Sequence, residues 1–180
     1  TRPECEAVTL GVPLRILIAD DDSTSRNVLT GVLKKQGHEV VVAANGADAM
    51  EVLRQNRAPL VAILDWMMPE MDGLEVVRQV RAQQANCSPY FILLTAKGRK
   101  ADIIAGLEAG ANDYLVKPVD VGELCARIEV GRRMVAMQDT LSSKIDELHQ
   151  ALNQVKTLHG IVPICANCKK IRDDQGYWNQ

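Results

Sequence analysis

Five short aliphatic runs alternate with helical segments, and this alternation limits the fold more than any other feature of the sequence. The first run, Arg15-Ile-Leu-Ile-Ala19, is almost wholly apolar, which is typical of a strand buried on both faces. We predict strands at residues 15–19, 39–43, 60–64, 90–95 and 113–116, and helices at residues 23–36, 46–55, 73–84 and 99–109. Short links between five such units indicate a doubly wound α/β fold with a parallel sheet.

Composition narrows the classes of partner. Hydrophobic residues make up 47% of the chain and aromatic residues only 3%, so the core has to be aliphatic. The net charge of −2 offers no basic field for nucleic acid or an anionic membrane. No apolar run is long enough to span a bilayer, and the five scattered cysteines do not form a disulfide framework. We therefore expect a cytoplasmic protein whose partners include neither a membrane nor nucleic acid.

One long helix is predicted to follow the last strand. It begins near Val121 and meets no Pro or Gly pair before Gly160, a length of about 39 residues or roughly 58 Å. Beyond Arg133 the apolar residues recur in steps of three and four, which indicates a coiled coil that forms a parallel dimer. The heptad a positions are Gln138, Ile145 and Leu152, and the d positions are Met134, Leu141, Leu148 and Val155. The alternative is a solitary amphipathic helix that folds back on the sheet domain.

These patterns predict four segments: an N-terminal tail at residues 1–13, the sheet domain at 14–131, the coiled-coil helix at 132–160, and the start of another module at 161–180. The last segment contains Cys165-Ala-Asn-Cys168. The two thiols could be ordinary cysteines, a redox pair or half of a zinc site, and redox is the least favoured because no thioredoxin-like strand precedes them. Since a tetrahedral site needs four ligands, we expect no tightly held zinc in a single chain.

Charged and polar residues stand where four of the predicted strands end. In a doubly wound sheet, ligands bind at the carboxyl ends of the strands. Several carboxylates at one edge repel each other unless a divalent cation or a lysine neutralises them, and hard oxygen ligands suit Mg²⁺. Each residue has a purely structural alternative, such as capping a helix, but their joint position favours a site for magnesium and a phosphoryl group. The residues are Asp20, Asp21, Asp22, Asp65, Thr95 and Lys117.

Four motifs resemble the receiver domain of bacterial two-component response regulators, over about residues 14–133. They are Asp20-Asp21-Asp22, Asp65-Trp-Met-Met-Pro-Glu-Met-Asp-Gly73, Leu94-Thr95-Ala96 and Tyr114-Leu-Val-Lys117-Pro118. The intervals of 44, 30 and 22 residues that separate Asp21, Asp65, Thr95 and Lys117 also match that family. The resemblance implies a flavodoxin-like fold with strand order 2-1-3-4-5.

The resemblance also implies a role for each residue of the site. Asp65 would be the phosphoacceptor, and Mg²⁺ would be held by Asp65, by Asp21, by the backbone carbonyl of Met67 and, through water, by Asp20. Thr95 would hydrogen-bond the phosphoryl group and Lys117 would form an ion pair with it. The chain would be a phosphoacceptor switch rather than an enzyme, with only intrinsic autophosphorylation and autodephosphorylation.

The switch would have a donor and an output. The phosphoryl group would come from a sensor histidine kinase or a phosphotransfer protein. Tyr114 would change rotamer with Thr95, altering the face made by the fourth helix, fifth strand and fifth helix. The change would pass through the dimeric coiled coil to a C-terminal output module, because residues 163–178 resemble the start of a small cysteine-containing module of bacterial signalling proteins.

Other functions fit the residues less well. A haloacid-dehalogenase phosphatase needs an acid two residues after its nucleophile, where this chain has Met67. An FMN phosphate after the first strand would be repelled by the three aspartates. A receiver that only scaffolds a dimer would not need the full acceptor, metal, Thr and Lys set, and a DNA-binding regulator would need a helix-turn-helix domain that the sequence does not show.

Overall fold

The computed structural model describes residues 13–55, 60–83, 89–96, 100–159, 171–172 and 178–179. Five parallel strands form one sheet in the order β2-β1-β3-β4-β5. They are β1 (Arg15–Ala19), β2 (Glu39–Ala43), β3 (Val61–Asp65), β4 (Tyr90–Thr95) and β5 (Asp113–Val116). The predicted fold class and strand order are confirmed, and the third strand begins and ends one residue later than predicted.

Five helices connect or follow the strands, with bounds close to the predicted ones. They are α1 (Ser23–Lys35), α2 (Gly46–Leu53), α3 (Gly73–Gln83), α4 (Lys100–Glu108) and α5 (Val121–His159). Among the residues that the structure describes, no helix is both long enough and apolar enough to cross a membrane.

The N-cap of helix α1 is Asp22, and Ser23 is the first helical residue. The Asp22 carboxylate accepts hydrogen bonds from the backbone N–H groups of Thr24 at 3.1 Å and Ser25 at 2.9 Å. A carboxylate has two oxygens and can satisfy two otherwise unpaired donors of the first turn, which a single hydroxyl does less well.

The side chains of the strands alternate between two apolar layers, one on each face of the sheet. On one face Leu17, Leu64 and Phe91 pack with residues of α2 and α3. On the other face Ile16, Ile63 and Ile92 pack with residues of α1 and α5. This two-sided burial explains why the strands are continuous apolar runs rather than alternating ones.

The first turns of α5 pack against the sheet. Leu124 and Ile128 are fully or almost fully buried there, and Val135 is also buried. A Cβ atom at Gly131 would lie 2.7 Å from the ring of Tyr90, so glycine lets the helix approach the start of β4 closely. Beyond these turns the large apolar side chains of α5 are exposed up to residue 153.

The chain divides into two compact units, Thr1–Asp139 and Thr140–Gln180. In the second unit, β6 (Ile171–Arg172) pairs with β7 (Trp178–Asn179) in an antiparallel ladder. Residues 1–12 of the predicted tail, and Cys165 and Cys168, lie outside the described residues. The four predicted segments and the zinc half-site therefore stay predictions.

Candidate functional site

Three carboxylates meet at the carboxyl edge of the sheet. Asp20 follows β1 directly and Asp65 is the last residue of β3, so the parallel pairing of these two strands brings them together with Asp21. One carboxylate oxygen from each of the three residues lies within 4.8 Å of the others. Asp20 is fully buried and Asp65 almost so, whereas Asp21 is exposed.

Lys117 joins the two buried carboxylates. Its Nζ donates hydrogen bonds to Oδ2 of Asp20 at 2.7 Å and to Oδ2 of Asp65 at 2.6 Å. Partial burial disfavours the charged amine, but the hydrogen bonds and the attraction of both aspartates outweigh it and raise the pKa of Lys117. The lysine is therefore held as a cation between the first, third and fifth strands.

The surroundings of Asp65 disfavour the ionised form of its carboxyl group. Burial raises the pKa of Asp65, and repulsion from Asp20 adds to that effect, while the hydrogen bond and charge of Lys117 offset it only in part. Among the residues that the structure describes, Lys117 is the lysine paired with the carboxylates of this site, and it bonds to two of the three. A divalent cation would supply the missing charge, and this set of oxygen donors, one of them exposed, fits Mg²⁺, which keeps several water ligands.

An open cleft of about 330 Å³ lies over these carboxylates. A water molecule occupies about 30 Å³ of liquid, so the cleft has room for a phosphoryl group with several waters. Its lining residues include most of the predicted site: Asp21, Asp65, Trp66, Met67, Thr95, Ala96 and Lys117. Because Mg²⁺ binds hard oxygen ligands, the backbone carbonyl of Met67 rather than its thioether is the candidate ligand.

Thr95 and Tyr114 line a second, much smaller cavity. Thr95 is buried at the end of β4, and its carbonyl accepts a hydrogen bond from the backbone N–H of Lys117 at 2.8 Å. The cavity of about 10 Å³ lies beside the half-buried Tyr114. A Cβ atom at Gly106 of α4 would lie 3.2 Å from the ring of Trp66, so a larger residue at this position would crowd that ring.

Two residues position the site in ways that the sequence did not reveal. A Cβ atom at Gly73 would lie 2.2 Å from the carbonyl oxygen of Asp65, so only glycine lets α3 begin against the end of β3. Arg26 donates a hydrogen bond of 2.5 Å to the carbonyl oxygen of Asp20, which ties α1 to the end of β1. Gly73 belongs to a motif already identified, whereas nothing in the sequence distinguishes Arg26 from a surface arginine.

A polar cluster at the amino ends of β4 and β5 was also not predicted. Asp113, the first residue of β5, is buried, and its Oδ2 accepts a hydrogen bond of 2.9 Å from Arg127 of α5. The same carboxylate oxygen lies 3.4 Å from the hydroxyl of Tyr90, and Oδ1 accepts from the backbone N–H of Tyr114 at 2.9 Å. Asp113 thus connects the strand that carries Tyr114 with the helix that follows it.

Comparisons with known proteins agree on one family. Residues 16–129 match the profile described as "Response regulator receiver domain". A chemotaxis protein CheY homolog of Campylobacter jejuni is 39% identical over 117 residues, which cover 64% of this chain and 90% of that protein.

Solved structures give the same result. The receiver domain of the Francisella response regulator 1452 superposes with a TM-score of 0.63 at 30% identity, covering 67% of this chain and 98% of that one. A yeast structure contains the histidine phosphotransfer protein Ypd1 and the receiver domain of its downstream response regulator Ssk1. It matches with a TM-score of 0.59 at 24% identity, covering 63% of this chain and 84% of that one, which shows a shared fold.

Proposed function

This chain belongs to the response regulator receiver domain family, and on that premise we propose that it accepts a phosphoryl group on Asp65 in two-component signalling. Domains of this family act as phosphoacceptor switches and are not enzymes in the usual sense. The observation that carries the proposal is the position of Asp65, in a cleft within 4.8 Å of two more carboxylates and 2.6 Å from the Lys117 amine.

The Asp65 carboxylate would attack the phosphorus of a phosphohistidine in line. A new bond forms between phosphorus and the carboxylate oxygen, the bond from phosphorus to the histidine nitrogen breaks, and that nitrogen keeps the electron pair. Lys117 already donates a hydrogen bond to Asp65, and during the transfer it would form an ion pair with an equatorial phosphoryl oxygen. Its ammonium group also favours the ionised, nucleophilic form of Asp65, because it lowers the pKa that burial raises.

Mg²⁺ would be bound directly by Asp21, by Asp65 and by the backbone carbonyl of Met67, with Asp20 acting through water. When bound, the ion would supply the positive charge that balances the phosphoryl oxygens. The hydrogen bond from Lys117 to Asp20 would hold that carboxylate close to the ion, where it could orient a water ligand.

Phosphorylation would change the positions of the Thr95 and Tyr114 side chains. The Thr95 hydroxyl would hydrogen-bond the phosphoryl group, and the loop after β4 would move with it. Both residues line the same small cavity, so a shift of Thr95 changes the space open to the Tyr114 ring. The Asp113 carboxylate, bonded to both the Tyr114 backbone and Arg127, would extend the change from β5 to α5.

The partner would be a sensor histidine kinase or a histidine phosphotransfer protein in the cytoplasm. The yeast complex supports this choice, since a receiver domain of the same fold binds a phosphotransfer protein there. The output would pass through a parallel homodimer formed by α5, whose large apolar side chains beyond Gly131 are mostly exposed. Cys165 and Cys168 would supply half of a zinc site in the module that follows.

Intact-mass spectrometry can test the acceptor. Incubation with acetyl phosphate and Mg²⁺ should add the mass of one phosphoryl group to the wild-type protein and none to Asp65→Asn. Asp48→Asn, which changes an exposed aspartate of α2, should be labelled like the wild type. An equal gain in wild type and Asp65→Asn would show that the label is elsewhere.

Tryptophan fluorescence can test the metal ligands, because Trp66 lines the cleft. Addition of Mg²⁺ should change the Trp66 emission of the wild-type protein. The change should be lost in Asp21→Ala, whose carboxylate is proposed to bind the ion directly, and should persist at higher Mg²⁺ in Asp20→Asn. A full response in Asp21→Ala would remove Asp21 from the ligand set.

A further inference from the structure

The exposed apolar side chains of α5 follow an 11-residue repeat rather than a seven-residue one. Seven large apolar residues of α5 are exposed in the part of the helix whose side chains the structure describes: Val130, Met134, Met137, Leu141, Ile145, Leu148 and Leu152. Their spacing is four, three, four, four, three and four, so that residues 130, 141 and 152 are equivalent, as are 134 and 145, and 137 and 148. At about 100° per residue all seven fall within an arc of about 80°.

The heptad pattern predicted from the sequence explains this surface less well. It leaves out Val130 and Met137, although Met137 is the most exposed large apolar residue of the chain's described part, at 73%. It also requires Gln138 at a core position. One heptad earlier the same position is Gly131, which is buried against the ring of Tyr90 and cannot face a partner helix.

A second copy of the chain is the partner that fits this stripe. Two helices stay in contact over six turns only if their apolar repeats have the same period, and a copy in parallel meets that condition at every position. Lys144, beside the stripe, is already paired with Glu147 of its own helix at 2.7 Å, so this charge does not select an oppositely charged partner. The Val130 position continues the stripe up to the turns that pack against the sheet.

We propose that two copies pair in parallel along this 11-residue stripe, with Met137 in the contact and Gln138 at its edge. An 11-residue repeat corresponds to 3.67 residues per turn, so the paired helices would be nearly straight or slightly right-handed instead of forming a left-handed coiled coil. The inference rests on the proposed dimer and specifies its seam. It also makes Val130 of the receiver part of the same contact.

Sedimentation equilibrium of the full chain, with beryllium fluoride and Mg²⁺, can decide between the two seams. Met137→Gln should raise the dimer dissociation constant about tenfold or more, because two amides are then buried without partners. Gln138→Met should leave it within about twofold. Gln150→Met, which adds the same side chain on the opposite face of the helix, is the matched control and should have no effect.

Val130 gives an independent check. Val130→Gln should also weaken the dimer, whereas Val42→Gln, at a comparably exposed valine of β2, should not. A dimer that tightens with Gln138→Met and ignores Met137→Gln and Val130→Gln would overturn the 11-residue seam and leave the proposed dimer intact. A wild-type protein that stays monomeric at every concentration would overturn both.

Discussion

The strand-end pocket, formed by Asp20, Asp21, Asp65 and Lys117, differs from the distal part of α5, residues 136–159, in what it leaves unsatisfied within one chain. In the pocket, among the described residues, Lys117 pairs with the two buried carboxylates and the exposed Asp21 adds a third negative charge, so the deficit is one of positive charge. In the described part of distal α5, Lys144 and Glu147 are paired with each other, and the excess is apolar surface, as at Leu141 and Leu148, which are more than 60% exposed. A small ion and a phosphoryl group can complete the first region, whereas the second needs an apolar partner, for which we propose a second copy of the helix.

Leucine truncations on the same helix should give the largest contrast. Leu124→Ala removes a fully buried side chain and should lower the free energy of unfolding by about 2–5 kcal/mol. Leu148→Ala, at a 64% exposed position, should change that of the monomer by less than about 0.5 kcal/mol. Urea denaturation at low protein concentration measures both, and a similar loss in the two variants would mean that distal α5 is already covered within one chain.

Replacement of the pocket lysine should be the next largest effect. Lys117→Met leaves Asp20 and Asp65 without their shared cation, and partial exposure of the lysine limits the loss to about 2 kcal/mol in EDTA. Added Mg²⁺ should recover part of this loss by balancing the same carboxylates. If Lys117→Met unfolds at the wild-type urea concentration in EDTA, the ion pairs contribute nothing to folding.

Removal of the acceptor charge should have a smaller effect of opposite sign. The raised pKa of Asp65 means that the folded protein binds this proton more tightly than the unfolded chain, so stability is lost as pH rises through the folded value. Asp65→Asn should therefore be more stable than wild type at pH 7 in EDTA and should lack that part of the pH dependence. Thermal unfolding from pH 4 to pH 8 checks this, and Asp48→Asn is the exposed control.

The smallest effect concerns a histidine near the first turns of α5. Burial lowers the pKa of His38, against the attraction of Glu129, and its Nδ1 accepts a hydrogen bond from the backbone N–H of Leu14. The folded state resists protonation of this ring, so stability should fall as pH decreases below about 6.5. His38→Gln should reduce the slope of unfolding free energy against pH between 6.5 and 5, as thermal unfolding would show, and an unchanged slope would assign the acid sensitivity to other groups.

The sequence predicted the pocket better than the helix surface, for a physical reason. Parallel strands bring their carboxyl ends to one edge, so Asp20, Asp65 and Lys117 could be placed together from topology alone. The distances between these side chains could not be predicted, because they depend on how the loops after the strands fold. One such detail is the close approach of Gly73 to the Asp65 carbonyl. The buried role of Asp113 was missed because an aspartate at the start of a strand usually faces solvent.

The length of α5 was predictable from the absence of helix breakers, and the structure has it at Val121–His159. The contact surface of α5 could not be predicted, because the heptad and 11-residue spacings share five apolar positions and differ only at a few others. The exposure of Val130 and Met137, and the burial of Gly131, separate the two patterns. Those three facts depend on where the sheet domain covers the helix.

The central claim is that Asp65 is the residue that carries the phosphoryl group, and chemical trapping tests it most directly. Borohydride reduces an aspartyl phosphate to homoserine, so the acceptor is marked permanently before the acyl phosphate can hydrolyse. After treatment with acetyl phosphate, Mg²⁺ and borohydride, tandem mass spectrometry should find homoserine at position 65 and at no other aspartate. Homoserine at Asp20 or Asp21 instead, or no homoserine in a protein that has gained a phosphoryl group, would contradict the account.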